Sequence, residues 1–160
     1  MEKKFELTDN FVINALGIKL FQIKCTKAFK NANEGDLGGY VEKEENLSQS
    51  GDAWVSGDAW VYGNAQVYGN ARVSGDAWVS GDARVENDHM HCGFDCFGSC
   101  NRHTHAYMTN ENKVEIRCGC FRGSIEEFER KVKETHAGTI YEKQYKAIIN
   151  LIKIKFGIDG

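Results

Sequence analysis

The sequence predicts a mainly β protein, a short parallel β-solenoid followed by a small α/β unit built from a hairpin and two helices. Three observations carry this. A six-residue unit reading G-[DN]-A-x-V-x is repeated six times without a gap from Gly51 to Glu86. Directly after it the period stops and Cys and His become frequent. From Ser124 onward apolar residues recur at helical spacing.

A strict short period means a solenoid, because identical units stack their small and branched residues in register into one continuous core. Gly stands at 51, 57, 63, 69, 75 and 81, Ala two residues after each, and Val two residues after each Ala. Strand alternation turns the Ala and the Val inward and their neighbours outward. The Gly-[DN] pair suits a tight corner, since Gly tolerates φ > 0 and Asp or Asn can bond to the turn backbone. Three strands and three corners then close a triangular coil of eighteen residues, with successive coils ~4.8 Å apart.

Around this core the chain divides into residues 1–38, 39–88 and 89–160. In the first segment Phe11-Val12-Ile13 and Ile18-Lys19-Leu20-Phe21-Gln22-Ile23 flank Gly17 and read as two strands. A solenoid end exposes unpaired strand edges, so this pair is a natural cap. Counting back in sixes from Ala53 gives Leu47 and Val41, an irregular lead-in that starts near residue 40. In the last segment His89–His105 reads as a Cys/His-rich loop. Residues 103–109 and 113–118 form a hairpin around Asn110-Glu111-Asn112. Ser124 with Glu127 makes a capping box that opens a helix ending near His136–Gly138. A second helix from about Ile140 to Phe156 shows Tyr141, Tyr145, Ile148, Ile149, Ile152 and Phe156 on one face.

The phase V-x-G-[DN]-A-x, as in Val55-Ser56-Gly57-Asp58-Ala59-Trp60, resembles the hexapeptide repeat of left-handed parallel β-helices. The left hand is implied by that resemblance alone. A second resemblance rests on Gly35-Asp36-Leu37-Gly38-Gly39-Tyr40-Val41-Glu42, Glu45-Asn46-Leu47-Ser48-Gln49, the repeats, Cys118-Gly119-Cys120-Phe121-Arg122-Gly123 and Glu127-Phe128. Together these are similar to a family of small phage and prophage hexapeptide-repeat proteins, largely of uncharacterised function. The segment His89–His105 departs from that pattern.

Charge and composition narrow the function classes. A net charge of −3 gives no general attraction for phosphate backbones, so nucleic acid is not an expected partner. No apolar run reaches the ~18 residues of a membrane helix. Met1-Glu2-Lys3-Lys4 leads into Phe5-Glu6-Leu7 without the apolar core of a signal peptide, so the expected compartment is the cytoplasm. Six cysteines in a reducing compartment are expected free, catalytic or metal-bound.

Two candidate sites follow. Zinc prefers thiolate and imidazole, and the candidate ligands are Cys92, Cys96, Cys100, Cys118 and Cys120, with His91 or His103 as substitutes. The Cys-x3-Cys-x3-Cys spacing is not a knuckle pattern, and Cys118 and Cys120 at alternate strand positions would face the same side. The alternative is buried thiols with exposed histidines. The second site is an aromatic face. Residues eighteen apart stack, placing Trp60 on Trp78, Tyr62 on Ser80, Trp54 on Arg72 and Tyr68 on Glu86. An outward patch of Trp60, Tyr62 and Trp78 is expected to be an interface, most simply of a homodimer or homotrimer. Arg102, in the Cys/His-rich segment, completes the binding candidates.

The favoured function is therefore a non-catalytic binding protein, an oligomeric scaffold that captures a host protein or a small nucleotide-like signalling ligand; the phage resemblance implies a counter-defence role. One alternative is a hexapeptide-type acyltransferase using acyl-CoA, an activity implied by resemblance. No His lies within residues 51–86, and His89 and His91 just beyond are the available bases. Cys118 or Cys120 paired with a His is another nucleophile arrangement. A zinc-stabilised nucleic-acid binder is the third reading.

Overall fold

A computed structural model of the chain describes residues 2–158. It contains two compact units, Met1–Asp88 and His89–Gly160.

The first unit begins with β1 (Phe5–Ile13) and β2 (Lys19–Cys25), an antiparallel hairpin that continues into β3 (Leu37–Val41). Six two-residue strands follow at the repeat positions: β4 (Trp54–Val55), β5 (Trp60–Val61), β6 (Gln66–Val67), β7 (Arg72–Val73), β8 (Trp78–Val79) and β9 (Arg84–Val85). Each pairs in parallel with the strand eighteen residues on, β4 with β7, β5 with β8 and β6 with β9. The repeat Ala and Val columns are buried, with every Val from 55 to 85 at 0% exposure. Each buried Val contributes about 1.5–3 kcal/mol.

The hairpin closes the edge of this solenoid, because β3 runs parallel to β5 and carries the sheet on to β1 and β2 in the order β1-β2-β3-β5-β8. Its register corrects the count made from the repeat. Val41 pairs with Val61, twenty residues on, and Leu47 bridges to Val67. Both therefore belong to the Val columns and not to the Ala columns. Two residues are inserted between Leu47 and Val55, and the Gln49 side chain inside that stretch bonds the backbone N–H groups of Lys4 and Phe5 and the Phe5 carbonyl. The buried Asn46 amide donates to the carbonyls of Gly63 and Ala65, so the lead-in keeps its polar groups satisfied.

The second unit is a four-stranded antiparallel sheet in the order β10 (His91–Phe97), β11 (Arg102–Met108), β12 (Val114–Cys118), β13 (Phe121–Ser124). The expected hairpin is β11–β12. The expected Cys/His-rich loop is instead largely a strand, since Cys92 and Phe94 alternate with His91, Gly93 and Asp95 along β10. Cys118 and Cys120 do not share a face either. Cys118 pairs with Phe121 across a turn at Gly119, which has φ +58, leaving Cys118 buried and Cys120 exposed.

Helices α1 (Ile125–His136) and α2 (Ile140–Phe156) follow. Ser124 and Glu127 form the capping box, and α2 stops at Gly157 in the left-handed conformation. Ile125, Phe128 and Val132 of α1 and Tyr145, Ile148, Ile149 and Ile152 of α2 pack on Ala106, Val114, Ile116 and Cys118 in one core. The sheet thus has an apolar face toward its helices and a polar face on the other side. No described helix is long and apolar enough to cross a membrane.

Candidate functional site

The polar face of the C-terminal sheet collects residues at alternate positions: His91, Gly93 and Asp95 on β10; His103, His105 and Tyr107 on β11; Glu115 and Arg117 on β12; Arg122 on β13. Three histidines and a carboxylate there form one hydrogen-bonded chain. Asp95 Oδ1 meets His103 Nδ1. His103 Nε2 lies 3.3 Å from His105 Nδ1, and His105 Nε2 lies 3.0 Å from His91 Nδ1. Gly93 makes the packing possible, because a Cβ at that position would sit 2.7 Å from His103 Cε1.

His105 is 2% exposed, and its pKa is held well below the usual imidazole value, first by burial and then by the neighbouring His91 and His103. A neutral imidazole has one N–H, so His105 donates to one neighbour and accepts from the other. The Asp95 carboxylate accepts from His103 Nδ1–H. With His103 neutral, its Nε2 must then accept from His105 Nδ1–H, and His105 Nε2 must accept from His91 Nδ1–H. A proton added at His103 Nε2 reverses both bonds. Beside the chain, Glu115 Oε1 accepts from the Tyr107 hydroxyl at 2.5 Å and from Arg122 Nε at 2.6 Å.

The second feature of this unit is a cleft of about 550 Å³. Its floor is Cys118, Phe121, Phe128, Val132 and Tyr145, and its polar rim includes Arg102, Arg122, Lys131 and His136. Gly119 seats Arg102, since a Cβ there would lie 2.2 Å from the guanidinium Nη1. Gly98 does the same for Tyr145, whose hydroxyl a Cβ would meet at 2.0 Å, while Gly98 N–H donates to Gln144 Oε1 at 2.9 Å. Cys118 Sγ accepts from Thr104 Oγ1 at 3.3 Å and lies 3.7 Å from the Tyr145 hydroxyl. Burial, followed by that thiol, raises the Tyr145 pKa above the ordinary phenol range. Among the described residues that line the cleft, none is acidic. A second hollow, of about 680 Å³ and lined by residues of α1 and α2, mixes Glu126 and Glu129 with Arg130, Lys133 and Lys146. Its opposing charges select no ligand sign, so the smaller cleft is the better candidate.

The sequence-predicted residues fall as follows. Trp60 and Trp78 stack with ring centroids 4.8 Å apart and planes 1° from parallel. Tyr62 and Trp54 are not on an open surface: both are 5% exposed, and Phe29 of the N-terminal segment packs edge-on against Trp54 with ring centroids 5.5 Å apart. Tyr68 is half-buried, and the exposed Arg72 chelates Asp88 through Nε and Nη2 at 3.0 and 2.9 Å. Arg102 lines the cleft.

Of the candidate zinc ligands, Cys96, Cys100 and Cys120 are exposed. Cys92 points with Phe94 toward the helix-side core, and burial raises its thiol pKa. His91 and His103 join through opposite nitrogens of His105 and do not converge on one point. Among the described residues no set of three His, Cys, Asp or Glu side chains has the arrangement for a metal ion, and the six cysteines are free thiols. His89 is exposed and lies outside the histidine chain. The residues that sequence reasoning left out are His105 and Asp95. Their signal is a period of two, His-x-Gly-x-Asp and His-x-His-x-Tyr, in a stretch read as a loop.

Comparison with known proteins addresses the scaffold. No curated protein matches the chain. Neither comparison provides a link to phage. Residues 65–81, within the solenoid, match the family described as the YdcK beta solenoid repeat.

Proposed function

We propose that this chain is a non-catalytic binding protein, an oligomeric solenoid scaffold that captures a small acidic ligand in the cleft of its C-terminal unit. The observation that carries the reading is the cleft rim, where the Arg102 guanidinium lies across Gly119 and no lining residue is acidic, Arg122 and Lys131 being paired with Glu115 and Glu134 outside the lining, in a chain whose net charge is −3. Local positive charge in a negative protein attracts an anion to that spot and nowhere else in particular. The cleft volume falls within the roughly 300–1,000 Å³ typical of small-molecule sites, which favours a small ligand over a protein surface. In this reading the solenoid is left-handed, as its resemblance to hexapeptide repeats implies, and subunits meet at the Trp60–Trp78 stack. Interference with host signalling rests on the resemblance to phage repeat proteins. Calorimetric titration with inorganic phosphate at low salt tests the site. One saturable event per chain, lost on Arg102→Ala with Lys131→Ala, supports it; absence of saturable anion binding sinks it.

A second reading is catalytic and is favoured by the histidine chain. An imidazole joined through others to a carboxylate is the kind of base that acyl transfer uses. Acetyl-CoA turnover that is lost in His103→Ala would support that activity, whereas no acetyl-CoA binding at millimolar concentration would remove it.

A further inference from the structure

We infer that the ligand of the cleft is an aromatic monocarboxylate, a single carboxylate carried on a planar apolar ring; this rests on the cleft being a binding site for a small acidic molecule. The charge of the ligand follows from the partners of the rim cations. Arg122 is held by Glu115 at 2.6 Å and Lys131 lies 4.0 Å from Glu134, so each reaches the rim with an acid of its own. Arg102 has no acid partner among the described residues, and its guanidinium lies across Gly119, where a Cβ would stand 2.2 Å from Nη1. One planar fork matches one carboxylate through two parallel N–H···O bonds, whereas a dianion would keep a charge without a counterpart. The Tyr145 hydroxyl stands close enough to feel the Arg102 charge, and burial, which raises its pKa, keeps it a neutral O–H beside the cation.

The body of the ligand is set by the floor. Phe121 packs against Phe128 at 5.1 Å, Phe128 is edge-on to Tyr145 at 5.5 Å, and His136 lies at 28° to Tyr145 with centroids 5.5 Å apart. Phe128 and Tyr145 belong to the core, but Phe121 and His136 are only half-buried and line the cleft. Cys118 and Val132 complete an apolar lining next to the one cation that lacks an acid. A planar ring gains burial and ring contacts on such a floor, which acetate and inorganic phosphate leave wet.

The test titrates wild-type protein calorimetrically with benzoate, phenylacetate and indoleacetate, the primary amide of each, acetate and inorganic phosphate, all at one pH and at low salt. At least one aromatic acid is expected to bind about tenfold or more tightly than its own amide, acetate and inorganic phosphate. Arg102→Gln is expected to narrow the gap between acid and amide, and Phe121→Leu the gap between aromatic acid and acetate. If acetate or inorganic phosphate binds as tightly as every aromatic acid, the ring is wrong and the acidic-ligand reading survives. If each amide matches its acid, the carboxylate is wrong, while saturable phosphate binding would still leave the acidic-ligand reading standing. If no acid and no phosphate binds saturably, both readings fall. The wild-type comparison decides each of these outcomes and needs no variant to fold.

Discussion

His103 and His105 face each other with Nε2 and Nδ1 3.3 Å apart, so one proton between them sets the direction of the whole chain from Asp95 to His91. With His103 neutral, His91, His103 and His105 must all carry their proton on Nδ1, the tautomer that an isolated imidazole in water does not favour. Long-range ¹H–¹⁵N correlation at pH 8 should show this in three of the five histidines. An Nε2–H tautomer at His103 or His105 at pH 8 would contradict the chain.

The same cluster makes stability depend on pH with a definite sign. His105 has its folded pKa depressed, by burial first and by its two histidine neighbours next. Below about pH 6.5 the unfolded chain takes up a proton at this residue that the folded one refuses. Its contribution to stability is therefore complete above that pH and is lost as pH falls toward the folded value. His105→Gln keeps one donor and one acceptor and should flatten the acid limb between pH 6.5 and 5, measured by chemical denaturation against wild type.

Lys4 gives a limb of the same sign at alkaline pH. Its ammonium reaches the Ala53 carbonyl at 2.7 Å and sits over Phe29 at 4.8 Å, and burial lowers its pKa to about 8 against the weaker upward pull of Asp52. Between about 8 and 10.5 the unfolded chain holds the proton that the folded chain has released, so stability gains from this residue as pH rises through that window. Lys4→Met should remove the gain. An unchanged slope between pH 8 and 10 would show that the residue titrates alike in both states.

The fold and the site differ in how legible they are in the sequence, and the reason is physical. Val55 to Val85 repeat one interaction, burial of a branched side chain on its copy a coil away, so each unit reports the same fact and the solenoid reads directly. Ser124 and Glu127 signal a helix start through a local hydrogen-bond pattern. The lead-in did not count correctly, because an insertion beside Gln49 is compensated by bonds to Lys4 and Phe5, forty-odd residues away. The histidine chain was hidden for a similar reason: Asp95 and His103 meet only once β10 and β11 pair, and Gly93, which clears the space, looks like a loop residue. The cleft joins Arg102, Gly119, Lys131 and Tyr145 from four elements or turns, and no spacing announces it.

Corner glycines offer a graded test of the solenoid. Gly69 and Gly75 share φ +65, but a Cβ on Gly69 would lie 2.4 Å from the Glu86 carbonyl oxygen and one on Gly75 would meet nothing within 4 Å. Gly75→Ala carries only the left-handed backbone cost of about 1–2 kcal/mol. Gly69→Ala adds a backbone collision that only movement of the last coil relieves, so it should be the more destabilising of the two in urea unfolding. Equal losses would mean that the coil end yields freely.

The Trp60–Trp78 stack gives the last prediction, about assembly. Parallel rings 4.8 Å apart follow the coil spacing, so the two facing ring surfaces cover each other and the indole edges line the outward surface. Tyr40 precedes Trp60 in the same register, which lengthens the row along the solenoid. Both tryptophans are only half-buried within one chain, and a second subunit would bury the remaining apolar area at about 25 cal/mol per Å². Trp60→Ser combined with Trp78→Ser should therefore lower the mass measured by light scattering at micromolar concentration. The solenoid itself should keep its far-ultraviolet dichroism, because the Ala and Val columns are untouched. A wild-type monomer, or an oligomer unaffected by the double substitution, would move the subunit contact away from this face.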